Sequence, residues 1–156
     1  MKKSRVALIG PYPPPIGGIS VHVHRLASLL AAKYEVIVVD PYRERIDGLD
    51  QCVIGCGPLG PGAVAKSVSI VRKKSAEIVH IHVSSMHQFA YGGHVLVSML
   101  PRSARRILTI HSGSFVPDYE AANVLTRALI ASLVRRFDLV IAVSAEIEEK
   151  LKCCGV

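Results

Sequence analysis

The amino-acid sequence predicts a doubly wound α/β domain, a parallel sheet with helices on both faces. Short apolar runs rich in β-branched residues alternate with longer segments of helical period along the chain. These runs lack strict alternation of polar and apolar residues, as is typical of strands that are covered on both faces. With 156 residues, half of them hydrophobic, the chain has the size of a single domain, 1–156.

The first half of the chain supplies three strands and two helices. The run VALIG ends at Gly10, and a helix near 19–33 follows with apolar residues at helical spacing. The run EVIVVD predicts a second strand near 35–40, and a short apolar segment predicts a third near 51–54. A helix near 62–74 then ends in three basic residues, which suits the negative end of a helix dipole.

The second half of the chain continues the same alternation. The runs EIVHIH, RILTIH and DLVIAVS predict strands near 77–82, 106–111 and 138–143. Helical segments are expected near 86–100, 120–136 and 145–152. Ser144 stands just before the last of these helices, so we expect it to cap that helix rather than to act in catalysis.

The loop between the first strand and the first helix carries the clearest functional signal. Pro13, Pro14 and Pro15 are expected to hold the loop extended. Gly17 and Gly18 lack Cβ atoms, so their N–H groups can approach an anion at the helix N-terminus. The loop has Gly10 and no further glycine until Gly17, so it lacks the dinucleotide fingerprint, and the chain contains no P-loop. We predict that Gly17 and Gly18 bind a substrate diphosphate; a plain flexible connector is the alternative.

Three histidines lie at or near the carboxyl ends of predicted strands, the edge where open α/β sheets bind ligands. His80 is expected to make a structural hydrogen bond, whereas His82 is either structural or ligand-facing. His111 is the candidate catalytic residue, because Ser112 and Gly113 after it offer a hydroxyl and an accessible backbone; the alternative is that it holds its own loop together. His80 and His82 share one strand face, but the sequence places no third metal ligand, so no metal or cofactor is predicted.

The net charge of +7 has a structural explanation. Most basic residues fall in the last turns of predicted helices or just after them, at the sheet edge opposite the ligand edge. Nucleic acid is therefore not expected as a partner, and a lipid-surface contact stays open. The sequence shows no transmembrane segment or complete signal peptide, and the cysteines have neither zinc nor disulfide spacing, so we expect a cytoplasmic protein.

Four motifs in order resemble the N-terminal, Rossmann-like half of family 4 retaining glycosyltransferases of the GT-B fold. A Gly-Gly loop opens the helix in GGISVHVHRLASLLAAKYEVIVV, with Tyr34 where the family usually has histidine. EIVHIHVSS is similar to the family's "DvvHvHs", LTIHSGSF to "tiHg", and DLVIAVSAEIEEKLKCCGV to "d.viavSe.ikekL...Gv". The resemblance covers nearly the whole chain.

The resemblance implies a nucleotide-diphosphate sugar donor and a saccharide or lipid-linked acceptor, bound mainly by the C-terminal and N-terminal domains respectively. Gly17 and Gly18 would contact the diphosphate, His111 would approach the transferred sugar or its phosphate, and no bound metal is expected. The donor-binding domain and its E-x7-E motif are absent from 1–156, so we expect this chain to need that domain and to be inactive alone. A nucleotide-sugar epimerase domain and a non-catalytic module completed by a partner chain are the alternatives.

Overall fold

The computed structural model describes residues 3–43, 53–57 and 60–155, without the side chains of residues 87, 88 and 91. Strands and helices alternate through most of the chain. The strands are β1 (Arg5–Ile9), β2 (Glu35–Asp40), β3 (Val53–Gly55), β4 (Ile78–Val83), β5 (Arg105–Ile110) and β6 (Leu139–Ala142). The helices are α1 (Gly18–Ala31), α2 (Pro61–Lys73), α3 (Met86–Met99), α4 (Phe115–Ala121), α5 (Val124–Val134) and α6 (Ala145–Cys153).

All strand pairs in the described sheet are parallel, and the strand order is β3-β2-β1-β4-β5-β6. The strand order reverses between β1 and β4. β2 and β3 are added on one side of β1, and β4, β5 and β6 are then added on its other side. Such a reversal opens a crevice at the carboxyl ends of the strands. The predicted doubly wound, Rossmann-like α/β fold is confirmed.

Alternate residues of β1 pack on opposite faces of the sheet. Leu8 joins Val23 and Ala27 of α1 in one hydrophobic cluster, while Ala7 and Ile9 belong to a larger cluster. That larger cluster contains buried side chains of α2, α3, α5 and α6. Because both faces are covered, the strands need apolar residues on both sides, which explains their near-continuous hydrophobic runs.

One predicted helix is wrong. The segment expected as one helix over 120–136 forms the two helices α4 and α5, separated by an extended Ala122. Asn123 caps α5, and its side chain accepts a hydrogen bond from the backbone N–H of Thr126 at 2.8 Å. Hydrophobic residues continue on both sides of the break, so periodicity alone did not reveal it, although an asparagine before an apolar run is a helix-start signal.

The remaining predicted elements match the described ones to within a few residues. Ser144 caps α6 by accepting a hydrogen bond from the backbone N–H of Ile147, as expected. Residues 51 and 52 of the predicted third strand lie outside the described residues. The three prolines 13–15 lie in a bend rather than an extended segment, with cis peptide bonds at Pro13–Pro14 and Pro14–Pro15.

Basic side chains bind the carboxyl ends of several helices. Lys3 donates to the carbonyl oxygens of Ala31 and Ala32 after α1, and Arg72 donates to that of Met99 in α3. Arg135 likewise donates to the carbonyl of Cys154 beyond α6. These contacts place three of the basic side chains at helix ends, where positive charge is favourable.

Two further expectations can be compared with the structure. Cys56, Cys153 and Cys154 are free thiols, and Cys52 lies outside the described residues. Within the described part of the chain, no helix has the length and hydrophobicity to cross a bilayer.

Candidate active site

The candidate site lies in the crevice where the strand order reverses. The loop after β1, the start of α1, and the carboxyl ends of β4 and β5 meet there. The parallel register brings His82 of β4 opposite Thr109 of β5, and the backbone N–H of His111 extends the ladder to Val83 O at 2.9 Å. His82 therefore lies in β4 and His111 directly after β5, at the same edge of the sheet.

Gly17 and Gly18 lie at the start of α1, with Gly17 as its N-cap. The Gly17 N–H donates to Ser20 Oγ at 2.9 Å, and that hydroxyl donates to Pro15 O, so Ser20 fixes the loop. A Cβ on Gly18 would meet nothing within 4 Å, and one on Gly17 would meet only Ser20 Oγ at 3.8 Å. The described part of this chain therefore leaves room for a Cβ atom at both positions.

Asp40 holds the same loop from the end of β2. This buried carboxylate accepts a hydrogen bond from the backbone N–H of Tyr12 at 3.0 Å and one from that of Tyr42 at 2.9 Å. Arg43 forms an ion pair with it, Nε to Oδ2, at 3.0 Å. A buried charge needs such partners, and here they join the loops after β1 and β2.

Three histidine rings converge beside this loop. Nδ1 of His82 and Nε2 of His111 are 3.1 Å apart and form a hydrogen bond. The ring of His22, from the second turn of α1, is centred 4.9 Å from the ring of His111 and 5.5 Å from that of His82. His22 is exposed, His111 is half-buried and His82 is buried, so the cluster runs from solvent into the sheet.

His80 lies one layer deeper than this cluster. Its Nε2 lies 2.7 Å from the Thr109 hydroxyl, which confirms the structural hydrogen bond predicted for it. Its ring is centred 4.2 Å from that of His82, and both residues are buried. The ring of His80 therefore packs against the ring of His82.

Burial keeps these imidazoles neutral. It lowers the pKa of His82 to about 2 and those of His80 and His111 to about 4, and the positive charge that neighbouring histidines would carry acts in the same direction. At neutral pH each ring therefore has one N–H donor and one acceptor nitrogen. Neutral rings can donate a hydrogen bond to an oxygen or offer a lone pair to a metal.

The loop after His111 is held together by hydroxyl groups. Ser112 is buried, and its Oγ lies 2.8 Å from that of Ser114, which donates to Asp118 at 2.7 Å. The Ser112 hydroxyl therefore belongs to the loop's own hydrogen-bond network. Gly113 is exposed, with nothing within 4 Å of a Cβ built on it. Of the two, Gly113 offers the backbone that a substrate can approach.

A small apolar cavity opens beside His82 at the carboxyl ends of β1, β2 and β4. Its volume is about 80 Å³, and Phe89, Gly93 and Leu96 of α3 contribute to its wall. Gly10 separates it from α1, and a Cβ there would come within 3.1 Å of His82 Cβ. The absence of a side chain at Gly10 therefore lets His82 occupy its position.

The family comparison decides the class of this domain. A family model described as Glycosyltransferase Family 4 matches residues 16–156, which is most of the chain. The chain belongs to glycosyltransferase family 4. The resemblance seen in the sequence is thereby confirmed, and the family 4 match includes α1, the three strand-end histidines and α6.

A solved structure supports the fold assignment. An alpha-glucosyltransferase in complex with UDP-glucose and DNA containing an abasic site aligns with a TM-score of 0.54 and 15% identity. The alignment covers 92% of the family 4 domain but 36% of the glucosyltransferase chain, so the domain spans about a third of that protein. A cobalamin-binding protein from Desulfitobacterium hafniense DCB-2 aligns over 99% of this chain and 58% of its own, at a TM-score of 0.44 and 14% identity. Comparison with curated protein sequences gave no match.

Sequence reasoning missed three residues of the family 4 site. The apolar spacing of the first helix leaves His22 off its apolar stripe and says nothing more of it, and no sequence pattern indicates a role for Ser20 or Asp40. His22 follows the Gly-Gly loop by one helical turn, which is a usable signal because that turn must face the strand ends. Asp40 ends β2 as a lone acid after an apolar run, and such a buried carboxylate needs partners.

Proposed function

We propose that this family 4 domain is the acceptor-side half of a sugar-nucleotide-dependent, retaining glycosyltransferase. The reaction transfers a sugar from a nucleoside diphosphate to a polysaccharide or glycolipid acceptor. The observation that carries the proposal is the convergence of the α1 N-terminus and His111 in one crevice of a family 4 domain. The UDP-glucose complex of the similar glucosyltransferase supports the donor class.

The start of α1 suits a diphosphate. The first backbone N–H groups of a helix lack partners within the helix, and the helix dipole favours negative charge there. Gly17 and Gly18 keep side chains away from those groups, while Ser20 and Asp40 hold the loop in place. Fixed dipoles of this kind stabilise the negative charge that develops on the departing diphosphate.

His111 suits a hydrogen-bonding role toward the transferred sugar or its phosphate. Its lowered pKa makes it neutral at pH 7, so it acts as a positioned dipole rather than as a charge. The hydrogen bond with His82 fixes the orientation of its ring. His82 and the exposed backbone of Gly113 would then border the same substrate, and Ser112 would keep the loop in shape.

The acceptor would lie on the other side of His82. The cavity there is lined by Phe89, Leu96 and other apolar groups, which favours an acceptor with an apolar portion. At about 80 Å³ it has room for part of an acceptor only. A glycolipid or lipid-linked saccharide would satisfy both the apolar cavity and the polar crevice beside it.

The donor-binding domain of the two-domain fold would complete the active site. Residues 1–156 alone are then expected to be inactive, because the donor would lack most of its contacts. We place the reaction at the cytoplasmic face of a membrane, with the acceptor reached by peripheral contact.

The test is product analysis of the full gene product that contains these residues. It is incubated with a panel of nucleotide sugars, with and without membrane extract, and products are identified by mass spectrometry and by the anomeric configuration of the new linkage. Transfer that depends on acceptor and retains configuration is the expected result. Sugar interconversion without an acceptor would indicate the epimerase instead, and no nucleotide-sugar chemistry would indicate the non-catalytic module.

Matched variants locate the site. Gly17→Val should abolish transfer, because its side chain would enter the space proposed for the diphosphate, where a Cβ meets only Ser20 Oγ at 3.8 Å among the described residues. Circular dichroism checks that the fold is kept. Gly62→Val, near the start of α2 with equally open space, is the control and should keep full activity. His111→Ala should lower kcat by about 100-fold, the range found when one donor to a developing oxyanion is removed.

A further inference from the structure

We propose that a hollow at the sheet edge opposite the candidate active site binds a phosphate group. This hollow, called the arginine hollow below, lies at the starts of β5 and β6 and has a volume of about 280 Å³. Its charged lining residues are Arg102, Arg105, Arg106, Arg136 and Asp138. The proposal concerns anion binding and does not depend on the proposed sugar transfer.

The parallel strand order brings these residues together. Arg105 and Arg106 are the first two residues of β5. Asp138 stands just before β6, where its N–H donates to Arg106 O at 2.9 Å and its carboxylate accepts a hydrogen bond from the Arg106 N–H at 2.6 Å. Arg136 comes from the connection between α5 and β6. Two neighbouring helix-to-strand connections therefore form one wall with four guanidinium groups.

The positive charge of the arginine hollow is not balanced by the protein. In the part of the chain that the structure describes, none of its four arginines forms an ion pair. Asp138 offsets one charge, and the carboxyl ends of α3 and α5 at this edge offset about half a unit each. An excess of about two positive charges is left, which matches the charge of a phosphate group near neutral pH.

One guanidinium donor of the hollow lacks an acceptor. Arg106 Nε is buried and has no hydrogen-bond partner among the described residues. A buried donor without an acceptor costs free energy, and an oxygen of a bound anion would supply that acceptor. Arg136 Nη1 donates to the Ser98 hydroxyl at 2.9 Å, which holds this second side chain in place. Guanidinium groups bind phosphate through paired, charge-assisted hydrogen bonds, so arginines suit this ligand.

The size of the hollow favours a small anion. Its volume of about 280 Å³ lies just below the range of about 300–1,000 Å³ that is typical of sites for larger organic ligands. Among the described residues that line it, none is aromatic, so it offers no ring on which a nucleobase could stack. Inorganic phosphate and a phosphomonoester therefore fit better than a nucleotide. A phosphomonoester can be soluble or can belong to a lipid headgroup.

The test is a titration of the untagged protein with inorganic phosphate at constant ionic strength, followed by calorimetry and by backbone amide signals in NMR spectra. We expect one equivalent to bind and to shift the signals of Arg106 and Asp138 most. No binding would overturn the proposal. Shifts at Gly17 and Gly18 without shifts at the arginine hollow would also overturn it, because the anion would then lie in the candidate active site.

Two variants of the hollow separate specific binding from general attraction. Arg106→Lys keeps the charge but removes Nε and the paired donors, and it should weaken phosphate binding at least about tenfold. Arg102→Gln changes an exposed residue of the same hollow, so weaker binding in this variant does not depend on how the protein folds around Arg106. Circular dichroism checks the fold of both variants.

Arg25→Lys is the matched control. Arg25 is exposed on α1 and does not line the arginine hollow. This variant should bind phosphate within about twofold of the parent protein, because salt screens a distant exposed charge. Equal affinity in Arg106→Lys, Arg102→Gln and the parent would overturn the proposal.

Vesicles identify the source of the phosphate group. Phosphatidylcholine vesicles that contain phosphatidate present a phosphomonoester at a membrane surface. Retention of the protein that inorganic phosphate competes away, and that Arg106→Lys weakens, would support the site with a lipid headgroup as its ligand. Binding of inorganic phosphate at the hollow without retention by the vesicles would support the site with a soluble ligand.

Discussion

His82 and His111 face each other across neighbouring strands, with Nδ1 of the first 3.1 Å from Nε2 of the second. They are 29 residues apart in the chain and meet because β4 and β5 are parallel and in register. The contact joins two motifs of family 4 at the carboxyl edge of the sheet. The hydrogen bond couples the two histidines, so a substitution at either one should alter the environment of the other.

Acid should destabilise the domain through these histidines. Their pKa values are lowered in the folded state, so below pH 6.5 the unfolded chain binds protons that the folded chain does not. The free energy of unfolding should therefore fall as the pH drops from 6.5 to about 4. Urea titrations in the presence of a chelator measure this slope.

The variant His82→Gln should reduce that slope, because one such group is removed. The comparison is of slopes, so a general loss of stability in the variant does not affect it. Equal slopes in parent and variant would contradict burial of a neutral His82.

Substitution of the two acidic residues of β2 should lower the free energy of unfolding by very different amounts. Asp40→Ala leaves the Tyr12 N–H and Arg43 without a buried acceptor, and we expect a loss of about 3 kcal/mol in the free energy of unfolding. Glu35→Ala, at the other end of the strand, removes an exposed ion pair with Arg5 and should cost less than about 1 kcal/mol. Similar losses in both variants would contradict the anchoring role of Asp40.

Two glycines at the site should respond in opposite ways to alanine. Gly10→Ala places a methyl group 3.1 Å from His82 Cβ, so we expect lower stability and a shift of the His82 ring signals in NMR spectra. Gly18→Ala has open space in the first turn of α1 and should be neutral or stabilising by up to about 1 kcal/mol. If Gly10→Ala instead raised the stability, the close approach of Gly10 to His82 would not constrain the position of His82.

The stability of the start of α5 should depend on its N-cap residue, Asn123. Asn123→Ala removes the acceptor for the Thr126 N–H and should cost about 1 kcal/mol. Asn123→Asp keeps an acceptor at the same place and should retain most of the stability. Thermal unfolding of both variants checks this, and equal melting temperatures for Asn123→Ala and the parent would count against the cap.

Any membrane contact should involve the basic residues at the sheet edge opposite the candidate site. Arg102 and Arg105 are exposed there, whereas Arg72 and Arg135 already bind helix carbonyls. If the edge binds anionic lipid, Arg102→Glu with Arg105→Glu should lower retention by phosphatidylserine vesicles at low salt. Unchanged retention would show that these two arginines do not bind lipid and that their charge serves structure, solubility or the binding of a soluble anion.

Much of this site could be placed from the sequence. The positions of Gly17, His82 and His111 at strand ends and a helix start followed from the order of elements, and the structure brings the last two together. Their roles in substrate binding stay predictions. The break at Asn123 was missed, because apolar spacing continues across it and the cap acts through one local hydrogen bond.

The sequence by itself determined the parallel α/β fold and the family, since these depend on hydrophobic period, helix and strand order, and local motifs. Only the tertiary structure decided which side chains meet. His22 joins His82 and His111, and Asp40 holds the loop at Tyr12, through contacts between residues far apart in the chain. Such contacts depend on strand register and helix packing, which no local pattern of residues encodes.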